Sequence, residues 1–117
     1  MLTLDKIYHA SYVLKNTIYR TDLIYAPNIS KKCNIFLKPE NLQLTGSFKV
    51  RGSYYKISQL SEEEKEKGVI ACSAGNHAQG VALAATKNGI KSLICLPDGA
   101  PISKVEATRN YGAEICL

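Results

Sequence analysis

From residue 34 onward the chain alternates between short apolar runs and longer segments with helical periodicity. The apolar runs, which have the length of strands, are residues 35–38, 69–72, 92–96 and 114–117. The segments between them that favour helices are residues 47–60, 76–88 and 101–111. This repeated strand–helix order predicts right-handed crossovers and an α/β fold in which helices pack on a parallel sheet.

The first 34 residues do not follow this repeat. Residues 3–14 have apolar positions at helical spacing, with Thr3 as the expected N-cap, and residues 17–29 are expected to be irregular. The sequence therefore predicts two parts, residues 1–34 and residues 35–117. The last apolar run ends with the chain, and because domain boundaries normally lie in exposed linkers, we expect a unit that is truncated in its fourth strand.

Charge and hydropathy exclude several classes of function. The 117 residues have a formal net charge of +5, but the basic residues are scattered among acids, and the densest charged stretch, residues 61–67, is mixed in sign and predicts a solvated helix start. No basic cluster marks a nucleic-acid-binding face. No leader pattern occurs, and no apolar run approaches the roughly 20 residues that span a bilayer. We therefore expect a cytoplasmic protein that binds neither nucleic acid nor membrane.

The four cysteines predict neither a metal site nor a disulfide framework. They form no CxxC pair, and no histidine lies at ligand spacing from them. Cys72, Cys95 and Cys116 each fall in or beside an apolar run. We expect these three to be buried, reduced thiols that pack as small hydrophobic side chains.

Residues 38–52 form the first segment with chemical potential. Gly46 and Ser47 allow a tight approach to a helix, and Lys49 would lie in its first turn, where the helix dipole disfavours a positive charge. That position favours the neutral amine that Schiff-base chemistry requires. The alternative is that Lys49 is an ordinary surface lysine beside Arg51.

Residues 73–80 form the second segment, directly after a predicted strand. The small residues 73–75 would let backbone N–H groups approach a ligand, and the N-terminus of the following helix favours an anion such as a carboxylate. Asn76 offers an amide to a polar ring substituent. The alternative is a plain strand-to-helix turn with Asn76 as the cap, and His77 is expected to be a structural or rim residue rather than a general base.

Three stretches in this order resemble one enzyme group. They are KPENLQLTGSFK at residues 38–49, ACSAGNHAQG at residues 71–80 and APISKVEATRNYGAE at residues 100–114. They are similar to the fold-type-II pyridoxal-phosphate enzymes, and most of all to the threonine dehydratases (threonine ammonia-lyases) of the catabolic type. The resemblance implies the N-terminal part of a three-layer, tryptophan-synthase-β-like fold. It places residues 1–34 with the large domain and residues 35–117 in the small cofactor and substrate domain.

The resemblance also assigns roles to individual residues. Lys49 matches the lysine that carries pyridoxal 5'-phosphate and moves the substrate α-proton. Phe48 matches the residue that lines the cofactor ring, and Asn76 matches the asparagine that binds the cofactor's 3-hydroxyl. The loop that takes the substrate carboxylate corresponds to Ser73, Ala74, Gly75, Asn76 and His77.

The activity implied is a lyase reaction that converts L-threonine to 2-oxobutanoate and ammonia, and L-serine to pyruvate. Such an enzyme acts in amino-acid catabolism or isoleucine biosynthesis, is expected to be a homo-oligomer at full length, and in some catabolic relatives is activated by AMP. One alternative is a serine racemase or serine dehydratase. Another is a non-catalytic fragment, because the family's glycine-rich phosphate cup does not occur in these 117 residues. The chain alone is therefore expected to be inactive.

Overall fold

A computed structural model describes every residue from 1 to 117. Its helices are α1 Leu4–Leu14, α2 Lys49–Ser58, α3 Glu62–Lys67, α4 Asn76–Lys87 and α5 Ile102–Asn110. Its strands are β1 Ile24–Tyr25, β2 Phe36–Leu37, β3 Val69–Cys72, β4 Ser92–Cys95 and β5 Glu114–Cys116. Two 3₁₀ turns, Glu40–Leu42 and Leu44–Gly46, precede α2. None of the helices combines the length and the hydropathy needed to cross a membrane.

Strands β3, β4 and β5 form the predicted parallel sheet, in that order. Val69 lies opposite Ser92 and Cys72 opposite Cys95, and the same register continues from Cys95 to Cys116 in β5. Helices α4 and α5 are the two crossovers. Since the carboxyl ends of parallel strands lie at one edge, the loops after β3 and β4 are brought together there.

The predicted first strand is not part of this sheet. Strand β2 pairs in antiparallel fashion with β1, with Ile24 opposite Leu37 and Tyr25 opposite Phe36. The segment expected to be irregular therefore supplies a strand, and the strand expected at residues 35–38 belongs to a separate two-stranded sheet. A short apolar run followed by proline indicates a strand but does not specify its partner, which here comes from earlier in the chain.

Two helix starts illustrate what local sequence specifies. Thr3 occupies the predicted N-cap of α1 in an extended conformation, but its side chain makes no capping hydrogen bond. Ser61 caps α3 fully, because its hydroxyl accepts the Glu64 amide while the Glu64 carboxylate accepts the Ser61 amide. The charged stretch is thus a solvated helix, as predicted.

Helix α4 is the centre of the core. Four of its alanines are fully buried: Ala78, Ala82, Ala84 and Ala85. These small side chains allow α4 to approach both α2 and the sheet, where Ile94 is also fully buried. The helices cover one face of the sheet in residues 1–117, because Val69 and Ala71 pack against this core while Ile70 between them is 74% exposed.

The expected burial of the cysteines is wrong for two of them. Cys72 and Cys116 are exposed, Cys95 is half-buried, and all four cysteines are free thiols. Successive side chains of a strand point to opposite faces of the sheet. The three strand cysteines lie on the face opposite α4. An apolar run does not indicate which face a side chain occupies, so it did not predict their exposure.

The core position of Ile94 can be tested against the exposed position of Ile70. Ile94→Ala should lower the free energy of unfolding by about 3 kcal/mol, because it removes buried methyl groups and leaves a cavity. Ile70→Ala should change it by less than about 0.5 kcal/mol. Urea unfolding of both variants measures the difference, and equal effects would contradict the one-sided core.

Candidate functional site

Lys49 is the first residue of α2, directly after a constrained turn. Thr45 and Gly46 have φ angles of 63° and 64°, so two successive residues adopt the left-handed conformation. For a β-branched residue such as Thr45 this conformation is strained, and strain of this kind concentrates at functional sites. The Lys49 amide then donates to the Ser47 hydroxyl at 3.2 Å, which fixes the start of the helix.

A partly buried ion pair joins this turn to α2. Arg51 donates two hydrogen bonds to the Glu40 carboxylate, from Nε to Oε2 at 2.7 Å and from a terminal nitrogen to Oε1 at 2.8 Å. The Thr21 hydroxyl donates to the same Oε1 at 2.6 Å, and the Lys38 amine donates to the Thr21 carbonyl. The Arg51 hydrogen bonds, with further help from Thr21, lower the pKa of Glu40 from 4.5 to about 2 against the effect of burial.

Gln43 makes a second connection from the turn to the N-terminal part. Its amide nitrogen donates to the Tyr19 carbonyl at 2.7 Å, and its amide oxygen accepts the Tyr19 N–H at 2.9 Å. The same oxygen accepts the Leu44 N–H at 2.9 Å. Gln43 and Glu40 together hold the turn before Lys49 against residues 19–21. Sequence reasoning assigned no role to either residue, because their partners in the N-terminal part lie 19 and 24 positions away.

Gly80 brings the two predicted chemical segments together. A Cβ at this position would lie 3.1 Å from the Ser53 hydroxyl, 3.2 Å from the Lys49 carbonyl carbon and 3.2 Å from the Val50 nitrogen. The absence of a side chain therefore lets α4 touch the first turn of α2. Because Gly80 follows Asn76 by about one helical turn, the N-terminal ends of both helices lie side by side.

A cavity of about 470 Å³ opens beside this contact, and Lys49, Phe48 and His77 line it. The Lys49 Nζ lies 5.3 Å from the centre of the Phe48 ring and takes part in no ion pair. Lys56 also lines the cavity, and no carboxylate does. His77 is exposed at the rim, as expected. A larger cavity beside α1 contains none of the predicted site residues.

The loop of residues 73–77 stands at the carboxyl end of β3. The Ser73 amide donates to the Cys95 carbonyl at 3.2 Å, and the Gly75 amide donates to the Ser73 hydroxyl at 3.3 Å. Gly75, not Asn76, is the N-cap of α4, so the alternative role of Asn76 as a cap is wrong. The Asn76 side chain is exposed and makes no hydrogen bond within the chain. Apart from His77, the loop borders the cavity without lining it.

The residues of this region suit one end of pyridoxal phosphate. The free Lys49 amine provides a group that can bind an aldehyde, and the 58% exposed Phe48 ring provides an apolar surface for a flat ring. The Ser53 hydroxyl is buried at the cavity wall without a hydrogen-bond partner. The Asn76 amide remains available as a donor. Residues 1–117 contain no second glycine-rich loop that could bind the cofactor's phosphate. These residues therefore fit the ring and the aldehyde end of the cofactor.

The chain belongs to the pyridoxal-phosphate dependent enzyme family, whose profile matches residues 14–117. It is 55% identical over 119 aligned residues to L-threonine ammonia-lyase of Thermotoga maritima, covering 100% of the chain and 30% of that protein. It is 49% identical over 118 residues to the catabolic L-threonine dehydratase TdcB of Escherichia coli K12, covering 99% of the chain and 36% of that protein. The chain thus spans about a third of the length of these relatives.

Solved structures of the same group share the fold. Maize serine racemase superposes with a TM-score of 0.91 at 38% identity, over 97% of the chain and 35% of the racemase. The processed form of threonine deaminase isoform 2 from Solanum lycopersicum superposes with a TM-score of 0.84 at 35% identity, over 99% of the chain and 34% of the deaminase. The predicted resemblance and the predicted fold class are confirmed. The division at residue 34 and the roles of individual site residues stay predictions.

The Glu40–Arg51 pair should make stability depend on pH. Because the pKa of Glu40 is lowered on folding, its contribution is complete above pH 4.5 and is lost as the pH falls towards about 2. At pH 7 Glu40→Gln should therefore lower the free energy of unfolding by about 2 kcal/mol, the usual loss for hydrogen bonds to a charged group. The difference from the wild type should vanish near pH 2 in urea unfolding experiments.

Glu106→Gln is the matched control, because Glu106 pairs with Arg109 on the surface, where both side chains are about half exposed. It should cost less than about 1 kcal/mol. Equal effects of the two substitutions at pH 7 would show that the Glu40 pair does not hold the turn.

Proposed function

We propose that this protein is a pyridoxal-phosphate-dependent threonine ammonia-lyase, which converts L-threonine to 2-oxobutanoate and ammonia and also takes L-serine to pyruvate. The observation that carries the proposal is the placement of the Lys49 amine. Lys49 is exposed and free of ion pairs, lines a cavity together with Phe48 and His77, and is held where α2 meets the first turns of α4. Two relatives of about 50% identity are named for this reaction.

The chemistry of each site residue suits it to a different role. When bound, pyridoxal phosphate supplies an electron sink for the charge that develops at the substrate α-carbon. Lys49 would hold the cofactor through its amine and would move the proton of the substrate α-carbon. The Phe48 ring would border the cofactor ring, and the Asn76 amide would donate to its 3-hydroxyl oxygen.

The substrate carboxylate would bind at a position separate from Lys49. The N-terminus of α4 and the backbone amides around Gly75 form a positive end suited to an anion. With the carboxylate held there, the α-hydrogen would face Lys49. The β-hydroxyl would leave with a proton as water, and hydrolysis of the released enamine would consume one water and give the 2-oxo acid and ammonia.

Serine racemase is the second candidate, favoured by the maize racemase superposition. Both reactions begin with removal of the α-proton. In the lyase reaction the β-hydroxyl then leaves, whereas in racemisation a proton returns to the α-carbon. The deciding experiment gives the full-length protein L-threonine and L-serine in separate assays, and measures 2-oxo acids and D-serine. Production of 2-oxobutanoate supports the lyase, whereas D-serine without 2-oxo acid would overturn it.

Several further properties rest on the resemblance alone. We propose a cytoplasmic homo-oligomer that acts in amino-acid catabolism or isoleucine biosynthesis. Activation by AMP is tested by adding the nucleotide to the threonine assay. Sedimentation of the full-length protein tests the oligomeric state.

The assignment of Lys49 is tested in the full-length protein by trapping the bound cofactor with borohydride. The reduced label should be found on the tryptic peptide of residues 33–51, because trypsin cleaves neither after a modified Lys49 nor before Pro39. Lys49→Ala should lose both the label and the elimination activity. Lys49→Arg should not restore either, because a guanidinium stays protonated and cannot form the imine. A label on Lys56, which lines the same cavity, would overturn the assignment.

Gly75→Val separates ligand binding from stability. A Cβ at Gly75 would meet no atom within 4 Å, and the φ angle of −130° suits any residue. The substitution should therefore leave the unfolding midpoint nearly unchanged but raise KM for threonine about tenfold or more, because it blocks the approach of the carboxylate to the backbone. Unchanged KM in a folded variant would remove this loop from the substrate site.

A further inference from the structure

A buried amide side chain, that of Gln43, holds the turn before Lys49. Gln43 is 4% exposed, and every hydrogen-bond partner of its side chain is a main-chain group. The amide nitrogen donates to the Tyr19 carbonyl at 2.7 Å, while the amide oxygen accepts the Tyr19 N–H and the Leu44 N–H, each at 2.9 Å. The side chain thus satisfies both main-chain polar groups of Tyr19, as a neighbouring strand would.

Gln43 is connected to Lys49 by the hydrogen bonds of the turn between them. The Gly46 N–H donates to the Gln43 carbonyl at 2.8 Å, which closes the turn. The Lys49 N–H donates to the hydroxyl of Ser47, which is buried like Gln43. The turn that the Gln43 side chain binds to the N-terminal part therefore sets where α2 begins, and with it the main-chain position of Lys49.

The turn needs these contacts because its own conformation is unfavourable. Thr45 has a φ angle of 63°, which is strained for a β-branched residue and persists only where the surroundings hold it. The Thr45 hydroxyl is buried without a hydrogen-bond partner, so this side chain adds no polar contact of its own. Gln43 supplies polar contacts on both sides of the strained residue, to the N–H groups of Leu44 and Gly46.

The contacts of Gln43 are independent of any surface that further chain would cover. All of them lie within residues 19–49, and the side chain is already buried by these 117 residues. Additional residues can cover exposed groups, but breaking a buried hydrogen bond would leave its donor or acceptor unpaired at a cost. The link between Gln43 and the turn is therefore expected in the full-length protein as well.

We propose that Gln43 is a positioning residue for Lys49, which sets where the Lys49 amine stands relative to the α-carbon of the substrate. This inference rests on the proposed function. Gln43 does not line the cavity that contains Lys49, so it acts through the turn and not by touching substrate or cofactor. Proton transfer depends steeply on geometry, and a displacement of about 1 Å can lower the rate by about a hundredfold.

Loss of the Gln43 contacts should lower kcat much more than it changes KM. The substrate carboxylate is assigned to residues 73–77, and no hydrogen bond joins Gln43 to this loop. The close contact at Gly80 keeps α2 against α4, so the helix should stay in place while its first residue, Lys49, shifts. Binding of the substrate should then be retained while proton transfer slows.

The test compares Gln43→Met with the wild type in the full-length protein, because methionine has a similar length but cannot bind the Tyr19 main chain. Borohydride trapping counts the cofactor-loaded sites. Per loaded site, kcat for threonine should fall about tenfold or more, with KM changed by less than about twofold. Gln59→Met is the matched control at the other end of α2, where the Gln59 side chain binds only the adjacent Ser58 hydroxyl, and it should match the wild type. A lowered unfolding midpoint with unchanged kcat per loaded site would reduce Gln43 to a structural role and overturn the proposal.

Hydrogen exchange gives a readout that does not depend on activity. In the cofactor-free full-length protein, the amides of residues 44–49 should exchange faster in Gln43→Met than in the wild type, and unchanged exchange there would contradict the proposal.

Two further arms keep the proposal separate from the proposed function and from folding. If the wild type forms no 2-oxobutanoate, the proposed function fails, and the yield of trapped pyridoxal phosphate at Lys49 below saturation still tests Gln43, since it should be lower in Gln43→Met. If that variant does not fold, Gln43→Asn decides by the same split between kcat and KM. Asparagine keeps an amide but is one methylene too short to reach Tyr19 from the same main-chain position.

Discussion

The close contact between α4 and α2 at Gly80 is the constraint on which the rest of the structure depends. A methyl group at this position would lie 3.1–3.2 Å from the Ser53 hydroxyl and from backbone atoms of Lys49 and Val50, which is tighter than an ordinary van der Waals contact. Because two of these atoms belong to the backbone, any larger residue would have to push the two helices slightly apart. The contact fixes the position of Lys49 relative to the loop that begins α4. A residue without a side chain thus determines the geometry of the site.

The contact positions only one end of the turn before Lys49, and polar groups position the other. Residues 38–46 contain little apolar surface to bury, and Thr45 is held in a strained conformation. Glu40 and Gln43 compensate with hydrogen bonds to Thr21, Tyr19 and Arg51. Because buried polar groups are costly when unpaired, this network tolerates few alternative arrangements. It links the N-terminal part to the start of α2.

The sequence predicted those features that depend on local pattern. The bounds of β3 and α4 agree with the prediction to within a residue, because a continuous apolar run and a run of small helix formers each specify their own structure. The pairing of β2 with β1 was missed, since a short strand carries no information about a partner outside the repeat. Burial of Cys72 was predicted wrongly because an apolar run does not reveal which face of a sheet is covered.

The same difference between local pattern and distant partners applies to the site residues. The position of Lys49 at the start of a helix follows from Gly46 and Ser47, whereas the partner of Glu40 does not follow from any spacing. That partner matters for the position of Lys49. Arg51 takes both oxygens of the Glu40 carboxylate, and no acidic side chain lines the cavity. The pairing of Glu40 with Arg51, two residues beyond Lys49, thus anchors the first turn of α2 without placing a carboxylate in the cavity that Lys49 lines.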